Sequence, residues 1–285
     1  CNSNTDEIYN FIIGIYDLGD LITKPILLSI ITDTILLEGK NYLKSDIKYG
    51  HAALYEKYTA LILKRDWGKG KSRHYLTMVQ RNKFAEAIAI TMLYKGILEV
   101  KYDDILSVIN LHKDILSEFK DKDKLSNSQT QEFIASDIRI CSFLKRTDEN
   151  TFKFVHKSFM EFFVAQFIVT QLLNQENSNV LSDKILNKEI LFFVGGFGVY
   201  KAEIQKKIFT VWRKNQKSKD QTLKRNLSCA FILARIEHDN SHKSTFNISD
   251  VNIESISIRQ IKFRKVEYNK INYINTDFTD VSIID

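Results

Sequence analysis

Cysteine is scarce in this 285-residue chain, and its spacing excludes two common kinds of structural site. The three cysteines, Cys1, Cys141 and Cys229, are odd in number and far apart, and no two of them form a C-x-x-C pair. This spacing indicates neither a disulfide framework nor a zinc site. It is typical of a protein kept under reducing conditions, so the sequence predicts a cytoplasmic location.

Long apolar runs are also missing. The longest candidate, residues 190–200, is shorter than the roughly 18 residues that a membrane-spanning helix needs, and it contains Gly195, Gly196 and Gly198. We predict that it is buried core. The first ten residues lack the basic and apolar segments of a secretory signal. The sequence therefore predicts no membrane partner.

Charge of one sign is not concentrated enough to define a partner. The formal net charge is +6, and 27% of the residues are charged against 44% hydrophobic, which is ordinary globular composition for about two domains. One basic patch stands near Phe209 and Trp212, and it would suit nucleic acid or another acidic partner; its members are Lys206, Lys207, Arg213, Lys214, Lys217, Lys219, Lys224 and Arg225. Such a patch is more often a solvated helix face, so nucleic acid stays an alternative that is not favoured.

The most informative stretch is FKFVHKSFMEFFVAQFIV, residues 152–169. Phe152 and Phe154 alternate with a lysine as a half-buried strand does, and Ser158 and Glu161 have the spacing of a capping box that opens a helix. His156 is therefore predicted at a strand-to-helix corner. The positive end of the helix dipole disfavours imidazolium there and leaves a neutral ring that donates one hydrogen bond. That bond could hold a phosphate oxygen, or it could satisfy a backbone group.

The only proline of the chain, Pro25, suits the first turn of a helix because its missing N–H costs little there. An amphipathic helix over residues 52–63 then precedes a basic loop, residues 64–73. Gly70-Lys71-Ser72 in that loop is not a phosphate loop, since the motif needs glycine where Arg65 stands. Further helices, a hairpin with its turn at residues 147–150, and the helix after His156 follow in winged-helix order.

The tail, residues 246–285, divides without gaps into eight five-residue units, FNISD, VNIES, ISIRQ, IKFRK, VEYNK, INYIN, TDFTD and VSIID. An apolar-x-apolar-x-x pattern suits a chain that turns a corner every five residues. The tail resembles the pentapeptide-repeat family. This resemblance implies a right-handed β-solenoid with four units in each coil, and therefore two coils.

Three stretches together carry a second resemblance: FKFVHKSFMEFFVA around His156, DLGDLITKPILLSII around Pro25, and ALYEKYTALILKRDW between them. They resemble the NACHT-type STAND nucleotide switches over about residues 4–169. The resemblance implies that His156 bonds the β-phosphate of bound ADP and that Pro25 packs against the adenine. Thr23 stands where the family has the glycine of its Gly-x-Pro form.

The expected fold is mainly α with a winged-helix domain, plus the short right-handed β-solenoid. Four segments are predicted: a helical segment at 1–45, the winged helix at 46–165, a second helical domain at 166–245 and the solenoid at 246–285. The chain carries no catalytic motif, so the ATPase core with its magnesium ligands is expected upstream, and this fragment alone is not expected to hold ADP or ATP.

The resemblance implies the regulatory portion of a signalling ATPase that clamps nucleotide in a closed state and controls opening and oligomerisation, in bacterial antiphage defence. The implied partners are the upstream nucleotide-binding domain, further copies on activation, and a protein or phage-derived ligand. Two alternatives stay open, a winged-helix nucleic-acid-binding protein and a pentapeptide-repeat interaction adaptor.

Overall fold

The structure is a computed structural model of the 285-residue chain. It describes residues 25–38, 51–68, 76–111, 132, 135, 137, 143–174, 178–215, 219–227 and 229–230, and eight strands between 246 and 284. The chain divides into two compact units, Cys1–Tyr49 with Leu54–Phe163, and Gly50–Ala53 with Val164–Asp285. The described part is mostly helical with a small antiparallel sheet, which confirms the predicted mainly α class.

The first unit is built mainly from α1 (Pro25–Glu38), α2 (His51–Gly68), α3 (Met78–Lys95), α4 (Tyr102–Leu111) and the N-terminal part of α5 (Lys157–Asn174). Pro25 is the first residue of α1, as predicted. The prediction that α2 ends before a basic loop at Lys64 is wrong, because α2 continues to Gly68. Lys64 and Arg65 are good helix formers, and the first residue that breaks the helical pattern is this glycine.

Helix α3 has both ends fixed by side-chain and backbone signals. Thr77 Oγ1 accepts a hydrogen bond from the Gln80 N–H at 3.2 Å, and Gln80 Oε1 accepts one from the Thr77 N–H at 2.9 Å, so the two residues form a capping box. At the other end, Gly96 has a φ of 66°, a left-handed conformation that glycine adopts without steric cost. The chain then enters β1 (Val100–Lys101).

The small sheet has the strand order β1-β3-β2 and is antiparallel throughout, with β2 spanning Leu144–Asp148 and β3 spanning Thr151–Phe154. Phe154 faces Leu144 across the hairpin, and Phe152 faces Val100 on the other side. Both phenylalanines are buried, as their alternation predicts. The turn is shorter than predicted: residues 147 and 148 belong to β2, which contains a register shift before Asp148.

The second unit contains the rest of α5, then α6 (Asn179–Asp183), α7 (Lys188–Tyr200), α8 (Ala202–Lys214) and helical residues 221–227. The apolar run at 190–200 lies within α7, and its glycines do not interrupt the helix. Its residues 190–198 are buried, as predicted, except for the half-buried Phe192. A Cβ on Gly198 would lie 3.2 Å from the Cα of Gln205, so glycine allows α8 to approach closely. No helix in the described ranges is long and apolar enough to cross a membrane.

Asn226 holds the connection between α6 and α7. Its Nδ2 donates to the carbonyls of Leu181 and Lys184 at 2.8 and 2.7 Å, and its Oδ1 accepts from the Leu186 N–H at 3.3 Å. Arg225 Nη1 donates to the same Oδ1 and to the Leu186 carbonyl, both at 2.8 Å. Asn226 is fully buried, so this one side chain satisfies backbone groups that have little access to water.

Replacing Asn226 by alanine is expected to lower the free energy of unfolding by about 2 to 3 kcal/mol, because it leaves several buried backbone groups without partners. The measurement is the urea unfolding curve of the whole chain. Asn215→Ala is the matched control, since Asn215 is half-buried and its side chain bonds only the Val211 carbonyl among the described contacts. Equal losses in the two variants would contradict this role for Asn226.

Eight short strands form four parallel pairs in the tail. They are β4 (Phe246–Ser249), β5 (Asn252–Glu254), β6 (Ser257–Arg259), β7 (Lys262–Arg264), β8 (Val266–Asn269), β9 (Asn272–Ile274), β10 (Asp277–Thr279) and β11 (Ser282–Ile284). Each of the first four strands pairs with the fourth strand after it: β4 with β8, β5 with β9, β6 with β10 and β7 with β11. In every pair the partner residue lies 20 positions further on, as Phe246 and Val266 show.

Candidate functional site

His156 lies at the corner between β3 and α5, where the sequence predicts it. The chain is held on both sides of this corner. The Val155 N–H donates to the Phe143 carbonyl at 2.8 Å, and the Phe159 N–H donates to the His156 carbonyl at 3.1 Å. The imidazole is therefore attached to a fixed piece of backbone while the residue itself stays exposed.

The predicted capping box of Ser158 and Glu161 is wrong. Helix α5 begins at Lys157, one residue before Ser158, so Ser158 lies inside the first turn. The imidazole takes the capping role instead, since His156 Nδ1 accepts a hydrogen bond from the Ser158 N–H at 3.1 Å. Glu161 is buried and forms an ion pair with Lys157 one turn earlier, with 3.0 Å between Oε1 and Nζ.

Three side chains form a hydrogen-bonded chain that ends on the imidazole. Ser158 Oγ lies 2.7 Å from His156 Nδ1, and Tyr55 Oη on α2 lies 2.7 Å from the same Ser158 Oγ. A backbone N–H can only donate, so the Ser158 N–H requires Nδ1 to be an acceptor without a proton. The Ser158 hydroxyl must then donate to Nδ1, and the Tyr55 hydroxyl must donate to Ser158.

These directions determine the state of the ring. With Nδ1 unprotonated, the neutral imidazole carries its proton on Nε2, which has no hydrogen-bond partner in the described part of the chain. Burial lowers the pKa of His156, and the positive charge of Lys157 lowers it further. His156 therefore offers a neutral Nε2–H donor. The contact with a backbone group is confirmed, with Nδ1 as the acceptor, and the contact with a phosphate oxygen stays a prediction for Nε2.

Tyr55 is held in place by an aromatic cluster. Its ring centroid lies 5.1 Å from that of Phe159 and 5.7 Å from that of Phe162, and the Phe143 ring lies 5.6 Å from Phe159. The side chain is 1% exposed. Burial raises the pKa of Tyr55 to about 12, against the opposing effect of the hydrogen bond to Ser158, so the hydroxyl keeps its proton at neutral pH. Sequence patterns gave no signal for this role.

Helix α1, which begins at Pro25, is bonded to the face of α2 that carries Tyr55 and Tyr58. Tyr58, one turn after Tyr55, donates from Oη to Asp33 Oδ2 on α1 at 3.3 Å, and its ring lies 5.8 Å from Phe159. The side chain of Pro25 lies outside the described residues, and no described contact joins it to His156. The structure therefore places both predicted site residues in the first unit.

The corner offers the chemistry that an anionic oxygen requires. It presents a neutral N–H donor at His156, with the Lys157 ammonium, 54% exposed, on the next residue. Charge-assisted hydrogen bonds to an anionic oxygen are stronger than neutral ones. In the parts of the chain that the structure describes, no group of three His, Cys, Asp or Glu residues could hold a metal ion.

Two residues that a nucleic-acid site would use, one in the basic patch of the second unit and one beside it, are buried. Arg225 is not a surface cation as predicted, because it is buried and bonds the Leu186 carbonyl and Asn226. Trp212 is 9% exposed and packs in the core, so its ring is not free to stack on a base. Lys206 and Lys214 remain exposed. The side chains of Phe209 and Arg213, and the loop with Gly70-Lys71-Ser72, lie outside the described residues.

Comparison with known proteins does not identify the chain, since no protein-family model matches it and no curated protein matches it.

Proposed function

We propose that this chain is the regulatory portion of a NACHT-like STAND signalling ATPase, in which His156 senses the phosphate of bound ADP or ATP and stabilises a closed state. One observation carries the proposal: the hydrogen bonds at Nδ1 leave His156 with a neutral Nε2–H donor beside Lys157. A phosphate oxygen is the acceptor that such a corner fits best.

The nucleotide itself is held, in this proposal, by a nucleotide-binding domain that supplies the phosphate loop and the magnesium ligands. His156 adds a hydrogen bond to the β-phosphate, and Pro25 at the start of α1 packs against the adenine. The bound nucleotide supplies the anionic oxygens, and its hydrolysis lies outside the role of this chain. Because Tyr55 and Tyr58 bond the His156 corner and α1 respectively, α2 links the two proposed contacts.

The finer architecture belongs to the same proposal. The sheet β1-β3-β2, with α3 and α4 before it and α5 after it, supports a winged-helix domain that closes on the nucleotide. The 20-residue offset of the tail strands equals four five-residue units, which supports a right-handed pentapeptide-repeat solenoid of two coils. We assign this module to recognition or assembly, and the whole protein to a bacterial defence response in which copies associate on activation.

A hydrogen bond between His156 and phosphate is expected to contribute about 1.5 to 3 kcal/mol, the usual range for bonds to charged groups. At about 1.4 kcal/mol for each tenfold change, this contact would shift the ratio of closed to open protein by about ten- to a hundredfold. The ligand shifts the equilibrium only to the extent that the contact is stronger in the closed state than in the open one.

The test is ADP dissociation from the full-length protein that includes the nucleotide-binding domain. His156→Ala is expected to raise the dissociation rate by about ten- to a hundredfold, in line with the lost charge-assisted bond. His156→Gln, which keeps an N–H donor, is expected to recover part of the loss. Lys153→Ala is the control, because Lys153 lies on β3 close to the corner and pairs with the exposed Glu99.

Two results would count against the proposal. Unchanged ADP dissociation in His156→Ala, with the control behaving as wild type, would remove His156 from the nucleotide site. Salt-sensitive binding of DNA or RNA by the same protein would favour the nucleic-acid alternative instead, because phosphate contacts weaken steeply as the salt concentration rises.

A further inference from the structure

Ser158 is the central member of the hydrogen-bonded chain at the corner. It presents two donors to His156 Nδ1, its N–H at 3.1 Å and its hydroxyl at 2.7 Å, and its hydroxyl oxygen accepts a hydrogen bond from Tyr55 Oη at 2.7 Å. If the imidazole carried its proton on Nδ1, the Ser158 N–H would lose its acceptor, and the Ser158 hydroxyl oxygen would have to accept from both Nδ1 and Tyr55. The hydroxyl proton would then have no acceptor within this set of three side chains, so the unfavoured tautomer is penalised by two donors that lack acceptors.

We propose that Ser158 and Tyr55 are positioning residues that hold His156 in the Nε2–H tautomer, so that the corner selects a ligand oxygen. A ligand group that itself donates a hydrogen bond, or carries positive charge, finds no acceptor at Nε2 and meets the ammonium of Lys157. Specificity at the corner thus comes from α2 and the first turn of α5. This inference rests on the proposed function only for the identity of the ligand.

The groups around the ring keep it neutral as well as oriented. On α5, Lys157 is adjacent and its charge opposes a second positive charge, while its partner Glu161 is buried one turn further on. On β3, Lys153 pairs with Glu99 rather than with the imidazole. On α2, the group that bonds Ser158 is the Tyr55 hydroxyl, which burial keeps protonated. None of these side chains places a negative charge in direct contact with the His156 imidazole.

The packing also explains why the hydroxyl that bonds Ser158 is that of Tyr55 and not another one. Its ring packs against Phe159 and Phe162, two residues of α5 in the turn after Ser158. The same helix whose first turn carries Ser158 therefore fixes the position of the Tyr55 hydroxyl. Phenylalanine at position 55 keeps this packing and removes only the hydroxyl, which makes Tyr55→Phe a clean variant.

The experiment is nitrogen NMR of the full chain labelled with ¹⁵N-histidine, recorded without nucleotide. In the wild type, the signals of His156 are expected to show an unprotonated Nδ1 and a protonated Nε2. Ser158→Ala is expected to shift the ratio of the two tautomers by about five- to tenfold toward Nδ1–H, since it removes the hydroxyl proton that only the Nε2–H tautomer satisfies, a difference of about 1 kcal/mol. Ser158→Thr keeps the hydroxyl and is expected to restore the wild-type ratio.

Tyr55→Phe is expected to give a smaller shift in the same direction, because the Ser158 hydroxyl loses the donor that orients it. The matched control is Tyr58→Phe. It makes the same chemical change one turn away on α2, but Tyr58 bonds Asp33 and not Ser158, so the tautomer ratio should equal that of the wild type.

A wild-type ring that is predominantly Nδ1–H, or a ratio that Ser158→Ala leaves unchanged, would overturn the inference. An equal shift in Tyr55→Phe and Tyr58→Phe would also overturn it, since it would reflect loosening of α2 and not the hydrogen-bonded chain. The outcome is separate from that of the nucleotide experiment: a locked tautomer with unchanged ADP dissociation in His156→Ala would leave Ser158 and Tyr55 as positioning residues for another acceptor.

Discussion

Replacing Asp137 by alanine is expected to destabilise the first unit by about 3 to 5 kcal/mol, because it leaves the charge of Arg81 buried without its carboxylate. Arg81 Nη2 on α3 donates to Asp137 Oδ1, and the two side chains are 0% and 2% exposed. The second oxygen, Oδ2, accepts from the Leu76 N–H at 2.8 Å, just before α3 begins. The variant is measured by urea unfolding of the whole chain.

Arg81→Met should cost nearly as much, whereas the double variant Arg81→Met with Asp137→Leu should recover most of the loss, because no charge then remains buried. The exposed pair of Lys95 and Asp104 provides the control. Its side chains are 50% and 23% exposed, and Lys95→Ala is expected to cost less than about 1 kcal/mol. If the two pairs gave similar losses, the buried pair would have no special structural role.

Glu86 is expected to make the stability of the chain fall as the pH rises. Burial raises the pKa of Glu86 from its ordinary 4.5 to about 8, against smaller opposing effects of Lys83 and the hydrogen bond from Asn82. The folded form binds a proton that the unfolded form has lost, so the stabilisation is complete below pH 4.5 and disappears as the pH rises through 8. The total change is roughly 5 kcal/mol, at about 1.4 kcal/mol for each pKa unit.

Glu86→Gln stays uncharged, so it should match the wild type near pH 4.5 and become increasingly more stable than it toward pH 9. The measurement is the urea midpoint at pH 5, 7 and 9. Glu99→Gln is the matched control, because it makes the same chemical change at a half-exposed carboxyl that pairs with Lys153, and its urea midpoint is measured at the same three pH values. A parallel dependence in the wild type and in Glu86→Gln would show that Glu86 is not the group responsible.

Short-range patterns allowed the local structure to be predicted. Proline at a helix start, the alternation of Phe152 and Phe154, and the turn residues after β2 each act through the backbone of their own segment, so α1, the hairpin and the position of His156 follow from a few neighbouring residues. The five-residue period of the tail is similarly regular, and the strands pair at an offset of four such units.

The contacts that position the site join residues far apart in the chain. Tyr55 and Ser158 are separated by 103 positions, and Arg81 and Asp137 by 56. Nothing within a helix turn of Tyr55 distinguishes it from a core tyrosine, and the sequence around Arg81 is that of a solvated helix. Their roles depend on the packing of whole helices, which a pattern of neighbouring residues does not encode.

The predicted capping box of Ser158 and Glu161 is wrong for a local reason. Ser-x-x-Glu spacing indicates a helix start at which the serine side chain accepts a hydrogen bond from a backbone N–H. Here His156 Nδ1 accepts the hydrogen bond from the Ser158 N–H instead, and α5 begins at Lys157. The serine hydroxyl, no longer needed as a cap, is then available to Tyr55. A residue that resembles a structural cap became part of the candidate site because a histidine stands two positions before it.

The 20-residue pairing of the tail has a geometric consequence for anything attached to it. Neighbouring strands lie about 4.8 Å apart, so each additional 20 residues lengthens the stack by only that distance. The same 20 residues in an α-helix would extend by about 30 Å. A tail paired in this way lengthens by a very fine step, and it can be extended one five-residue unit at a time, because each added strand would pair with the strand four units before it.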